Sequence, residues 1–109
     1  MSAFGDILTI DLTSQQVERE PLDESVVRQH LGGRGLNAWQ MMRSLTPDVD
    51  PLGPDNVLML TCGLLTGSVA PASTRLQLAA RSPQTGLIGM SNVGGHFGAA
   101  LRHSGIAML

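Results

Sequence analysis

Val57-Leu58-Met59-Leu60-Thr61-Cys62 is the nearly continuous apolar run of this chain. A run of this kind reads as a buried central strand, and the other elements must be arranged around it. Upstream, Thr46 to Asn56 carries Pro47, Pro51 and Pro54, too closely spaced for a helix or a central strand. Downstream, residues 63–74 form a long loop of small residues, which lets backbone approach a ligand closely. Cys62 at the end of the run reads as a small buried hydrophobe, since no His or second Cys lies near it.

The remaining elements follow from local pattern. Gly5 to Leu12 alternates apolar and polar residues, Thr13-Ser14-Gln15 turns, and Gln16 to Glu20 returns as a polar strand. The charge of the second arm places this hairpin at a sheet edge. Pro21-Leu22-Asp23 opens a helix with Asp23 as N-cap and Glu24 in the first turn. Gly32-Gly33-Arg34-Gly35 interrupts it, and three glycines would cost a continuous helix about 3 kcal/mol. Two helical pieces are therefore predicted, the second burying Leu36, Trp39, Met42 and Leu45, with Arg34 in the break solvated, capping or touching a ligand.

Arg75 to Gly105 reads as a strand, a turn at Ser82 to Gly86, a second strand, a glycine pair and a short helix. Leu76, Leu78 and Ala80 should face inward, as should Phe97, Ala100 and Leu101 of the helix, with Gly105 its stop. Asn92-Val93-Gly94-Gly95 falls where strand hands over to helix. Free backbone N–H groups at such a point suit an anion, and Arg75 could add a bidentate fork. The same glycines also serve as a plain structural turn. His96 lies nearest this turn, and its bland reading is a surface histidine. Ile106 to Leu109 starts another apolar strand where the chain ends, an arrangement expected of a truncation or half of a split unit. Left unpaired, that strand would be a sticky edge, so the isolated chain is expected to self-associate as a two-fold dimer.

Composition excludes several classes. A net charge of -2 argues against a nucleic-acid binder. No apolar run is long enough for a membrane span, and no secretory signal is visible. A single cysteine rules out an internal disulfide framework and an all-cysteine cluster from this chain alone. A reducing, cytoplasmic compartment is the default expectation. The three histidines are scattered, and no Asp or Glu lies between Arg75 and Gly105, so acid–base catalysis from this chain has little support.

Six segments occur together in order: FGDILTIDLT, LGGRGLNAW, PLGPDNVLMLTCGLLTG, APASTR, RSPQTG and SNVGGHFGAALRHSG. With them the chain resembles the N-terminal domain of the aldehyde:ferredoxin oxidoreductase family of tungsten, occasionally molybdenum, pterin enzymes. The resemblance implies an α+β fold: a β-rich mixed or antiparallel sheet with two or three short helices, about one of the domain's two structural repeats, over residues 1–109. It implies a platform for two pterin-dithiolene cofactors, with a magnesium ion bridging their phosphates. By the same resemblance Arg75 contacts phosphate, Asn92, Gly94 and Gly95 contact pterin, and the Asn92 carbonyl meets magnesium. The family's cubane iron–sulfur cluster and acidic pterin-binding motifs belong to later domains, which a partner subunit or the rest of a longer chain would supply.

The resemblance thus implies part of an enzyme that oxidises aldehydes to carboxylic acids and passes electrons to ferredoxin, or performs related reductions of aromatic thioesters. No residue of this chain is expected to be catalytic. The alternatives are a non-enzymatic pterin-binding or assembly module, and a structural domain that has lost the site.

Overall fold

The computed structural model describes residues 3–109. Its elements in chain order are β1 (Asp6–Asp11), β2 (Gln16–Pro21), α1 (Glu24–His30), α2 (Arg34–Ser44), β3 (Met59–Cys62), β4 (Leu76–Arg81), β5 (Ile88–Val93), α3 (Phe97–His103) and β6 (Ile106–Met108). The strands make one mixed sheet in the order β2-β1-β6-β3-β4-β5. The predicted α+β class, with three short helices, is observed.

The apolar run does form an inner strand, but only from Met59 onward. Val57 is half-buried and Leu58 is 63% exposed, before the ladder begins. Met59 to Cys62 pairs antiparallel with β4, and Thr61 pairs with Met108 of β6. Both faces of β3 are covered. Met59 packs with Ala79 and with Met41 of α2, while Cys62 packs with Leu76 and with Leu101 of α3. Leu76 is 1% exposed, and burying a leucine so fully contributes about 2 kcal/mol. This two-sided cover explains why β4 buries Leu76 and Ala79 rather than the alternating Leu76, Leu78 and Ala80.

The expected edge at the chain's end is corrected. β6 lies between β1, its parallel neighbour, and β3, its antiparallel one. Leu109 adds reciprocal backbone bonds with Leu60 at 2.7 and 2.9 Å. The sheet edges are β2, exposed along its length as its charge foretold, and β5. Self-association therefore has no support from an unpaired final strand.

Helix boundaries follow the caps. The Asp23 side chain accepts from the Ser25 amide at 2.7 Å, opening α1 as predicted. The break that follows is shorter than expected: Arg34 and Gly35 already belong to α2, leaving Leu31 to Gly33 as the junction. Leu31 takes φ 64° there. The inward face of α2 is Leu36, Asn37 and Met41; Met42 is 83% exposed. Trp39 is half-buried and roofed by the Arg43 guanidinium, 4.4 Å from the ring centroid. In α3 the inward pair is Gly98 and Leu101, whereas Phe97 is 54% exposed and Ala100 is exposed. Gly98 is the residue that lets α3 lie close on β4, since a Cβ there would stand 2.7 Å from the Thr74 carbonyl oxygen.

Two polar devices hold the periphery. Arg19 pairs with the buried carboxylate of Asp6 at 2.6 Å, tying β2 to β1. Arg81 donates to the carbonyls of Gly86 and Thr46, each at 3.1 Å, fixing the β4–β5 turn to the proline-rich connector.

Candidate functional site

The long loop after β3 is shaped by one buried hydroxyl. Thr66, 5% exposed, accepts from the Gly63 amide at 2.9 Å and donates to the Arg75 carbonyl at 2.8 Å. The loop's two ends are thereby held together. Gly67 donates to the Ser73 carbonyl at 2.8 Å, and His103 Nε2 donates to the Gly67 carbonyl at 2.8 Å. An oxygen that only accepts requires the proton on Nε2. Neither Thr66 nor His103 stood out in the sequence; a hydroxyl nine residues before the candidate arginine was the available signal.

Arg75 thus enters β4 from a fixed backbone. Its guanidinium Nη1 donates to the Asn92 side-chain oxygen at 2.7 Å, and both residues are exposed. The structure therefore brings these two sequence-predicted residues together. Asn92 itself lies inside β5, opposite Gln77, so the turn proper begins only at Gly94. Gly94 and Gly95 are exposed, and a Cβ built at either meets nothing within 4 Å. Gly95 takes φ 100°, which favours glycine. His96 is the exposed N-cap of α3 and makes no side-chain capping bond.

On the other side of Arg75 lies an open groove of about 510 Å³. That volume suits a small organic ligand. Its walls come from the α1–α2 junction, the loop after β3 and the start of β4. The junction's glycines are required by close approach: a Cβ on Gly32 would stand 2.9 Å from the Leu64 nitrogen, and one on Gly33 would stand 3.1 Å from Gln77 Cγ. Gly33 also donates to the Cys62 carbonyl at 3.0 Å. Arg34 and Arg75 are the charged side chains of the lining, which contains no Asp or Glu. Leu31 and Ala72, both non-glycine residues with positive φ (64° and 58°), line the same groove. Strained backbone of this kind collects at ligand sites. Asn92, Gly94 and Gly95 lie outside the groove lining.

The titration shifts lie elsewhere. Burial pushes the Cys62 thiol up, partly offset by the Arg102 charge. The Ser14 amide holds the Asp11 carboxyl below the usual range, and the Ser25 amide does the same for Asp23. Among the described residues no group of three His, Cys, Asp or Glu side chains is arranged to hold a metal ion. None of the helices among the described residues is long and apolar enough to cross a membrane.

Comparison with known proteins gives a consistent family. The family described as the aldehyde ferredoxin oxidoreductase N-terminal domain matches residues 7–109. The tungsten-containing aldehyde ferredoxin oxidoreductases of Thermococcus kodakarensis and Pyrococcus furiosus are 41% and 38% identical over 102 residues, covering 94% of this chain. The WOR-like subunit of the P. furiosus aliphatic sulfonate oxidoreductase is 32% identical over 104 residues, 93% of this chain and 16% of its own length. A solved structure of the active-site complex BamBC of benzoyl coenzyme A reductase, with 1,5-dienoyl-CoA, matches with a TM-score of 0.93 at 34% identity; the match covers 96% of this chain and 16% of that one. The chain spans only 17% of the length of the two aldehyde ferredoxin oxidoreductases.

Proposed function

Because the chain belongs to the aldehyde ferredoxin oxidoreductase N-terminal domain family, we propose that it is the cofactor-platform part of a tungsten or molybdenum pterin oxidoreductase. The reaction proposed for the assembled enzyme converts an aldehyde and water to a carboxylic acid, releasing two protons and passing two electrons to ferredoxin. The observation that carries the reading is the Arg75–Asn92 pair, held at 2.7 Å on exposed surface beside the open glycines.

The residues present fit the group. Arg75 offers an exposed guanidinium to a phosphate, and its geometry is fixed by Thr66 behind it and Asn92 beside it. Gly94 and Gly95 leave clear the space that side chains would otherwise fill, so a flat ring system can approach the backbone. The Asn92 carbonyl, on the edge strand, would be one ligand to magnesium. The bound metal–pterin group supplies the two-electron redox chemistry. This chain binds and orients; further domains or a partner subunit would complete the centre, carry the iron–sulfur cluster and meet ferredoxin.

Metal and pterin analysis of the chain produced together with the remaining domains tests this reading. Tungsten or molybdenum and pterin should co-purify with the assembly and fall severalfold in Arg75→Ala. Full cofactor content in that variant would overturn the assignment of Arg75.

A further inference from the structure

Every positive side chain of this protein other than histidine is an arginine, seven in all. Six of them are engaged. Arg19 holds Asp6, Arg28 holds Glu24, Arg43 covers Trp39, Arg75 holds Asn92, Arg81 clamps two carbonyls and Arg102 donates to the Phe4 carbonyl. Arg34 alone has no hydrogen-bond or ion-pair partner among the described residues, and it stands in the groove wall beside Arg75.

We propose that Arg34 is a second anion-contacting residue of this groove, gripping the same phosphorylated ligand as Arg75 but from the α1–α2 wall. The inference rests on the reading of Arg75 as an anion contact and extends it to a residue on a separate element. Three observations converge on it. The groove has two guanidinium groups and no carboxylate, in a chain whose net charge is -2, so an anion finds attraction there that the surface as a whole does not offer. The Arg34 backbone is rigidly placed, with Gly33 bonded to Cys62 on β3 and Gly35 bonded to Gly32 at 3.2 Å. Leu64 and Leu65 line the same groove and are 41% and 63% exposed, giving an apolar rest for the body of a ligand whose charged end meets the arginines. The ligand class is therefore an organic phosphate or diphosphate with an apolar portion. Arginine suits this task because its fork binds phosphate in a bidentate manner and keeps its charge at all accessible pH.

Isothermal titration of the intact chain with inorganic pyrophosphate tests the proposal, using Arg34→Gln, Arg75→Gln and Arg43→Gln. Losing one charged hydrogen-bonding partner should weaken binding roughly tenfold for Arg34→Gln, while Arg34→Lys recovers part of the loss. Arg43→Gln, outside the groove, should bind as the parent chain does. Parent-like affinity in Arg34→Gln with loss in Arg75→Gln overturns the role of Arg34 and leaves that of Arg75 standing. The reverse pattern keeps Arg34 and removes Arg75. Absence of pyrophosphate binding by the parent chain overturns the groove as an anion seat.

Discussion

The Arg75 guanidinium and the Asn92 side-chain oxygen meet at 2.7 Å across the β4–β5 pair, although Asn92 lies opposite Gln77 in the register. The contact is thus diagonal. It turns the arginine from beyond the Leu76–Val93 pair back along the sheet surface, away from Gly94, and uses one of its five donors, leaving the others for a ligand.

Asn92→Ala removes the aim of Arg75 but not its charge. Both residues are exposed, so the unfolding free energy should change by less than about 0.5 kcal/mol. Pyrophosphate affinity should fall by less than in Arg75→Gln, a comparison that calorimetry on the two variants reads directly.

Asn37 and Thr61 are both fully buried, and the Thr61 hydroxyl donates to the Asn37 side-chain oxygen between α2 and β3. The Asn37 amide nitrogen has no partner among the described residues. Thr61→Val should cost about 1–3 kcal/mol by stripping the oxygen of its donor. The double variant Asn37→Leu/Thr61→Val should lose less than the sum of its two singles, because the orphaned groups leave together. Urea unfolding of the four chains closes the cycle; strict additivity would show the pair to be uncoupled.

Gly98 and Gly94 separate packing from mere glycine identity. Alanine at 98 places a methyl 2.7 Å from the Thr74 oxygen and 3.3 Å from Leu76 Cβ, while at 94 it meets open space. Gly98→Ala should destabilise by about 1–3 kcal/mol through displacement of α3. Gly94→Ala should leave the unfolding midpoint within the error of the urea titration. Equal effects would place the cause in backbone freedom rather than contact.

Cys62 is 3% exposed, and its Sγ lies 3.5 Å from the Gly98 carbonyl oxygen. Burial holds the folded thiol above its ordinary value, so its contribution is intact below the usual thiol range. As pH rises through that range the unfolded chain ionises first, and stability falls until the folded thiol also titrates. Urea midpoints should decline at alkaline pH, less steeply in Cys62→Ala. Thiol reagents should label the folded protein far more slowly than the unfolded one.

Legibility in the sequence tracked locality. The Asp23 cap, the β1–β2 hairpin, the Ser82–Gly86 turn and the Gly105 stop (φ 79°) are set by neighbours in the chain, and all were readable. Which side of each helix turned inward was readable only in part: Leu36 and Leu101 are buried as expected, whereas Met42 and Phe97 are exposed. A pattern of three apolar residues fits several rotations of α2, and the choice fell to Asn37, a polar residue whose partner Thr61 is 24 positions away. In α3 the burial of Gly98 follows from the closeness of β4, which glycine permits and hydrophobicity does not announce. That Arg75 and Asn92 would lie near each other was expected, since both were read as contacts of one anion, but their mutual hydrogen bond was not. The groove was not: its walls come from three separate stretches, and the glycines that read as a helix break prove to be the surface on which β3 and β4 rest.

The central position of β6 bears on how the fold is reached during synthesis. On the ribosome, β1 and β2 emerge first and can pair as a hairpin, and β3 to β5 emerge later and can pair as a second unit. The two units share no ladder with each other. Only when residues 106–108 leave the exit tunnel can a strand slip between them and make one sheet, closing a β1–β6 pairing about a hundred residues in span. Until then the nascent chain carries two open seams.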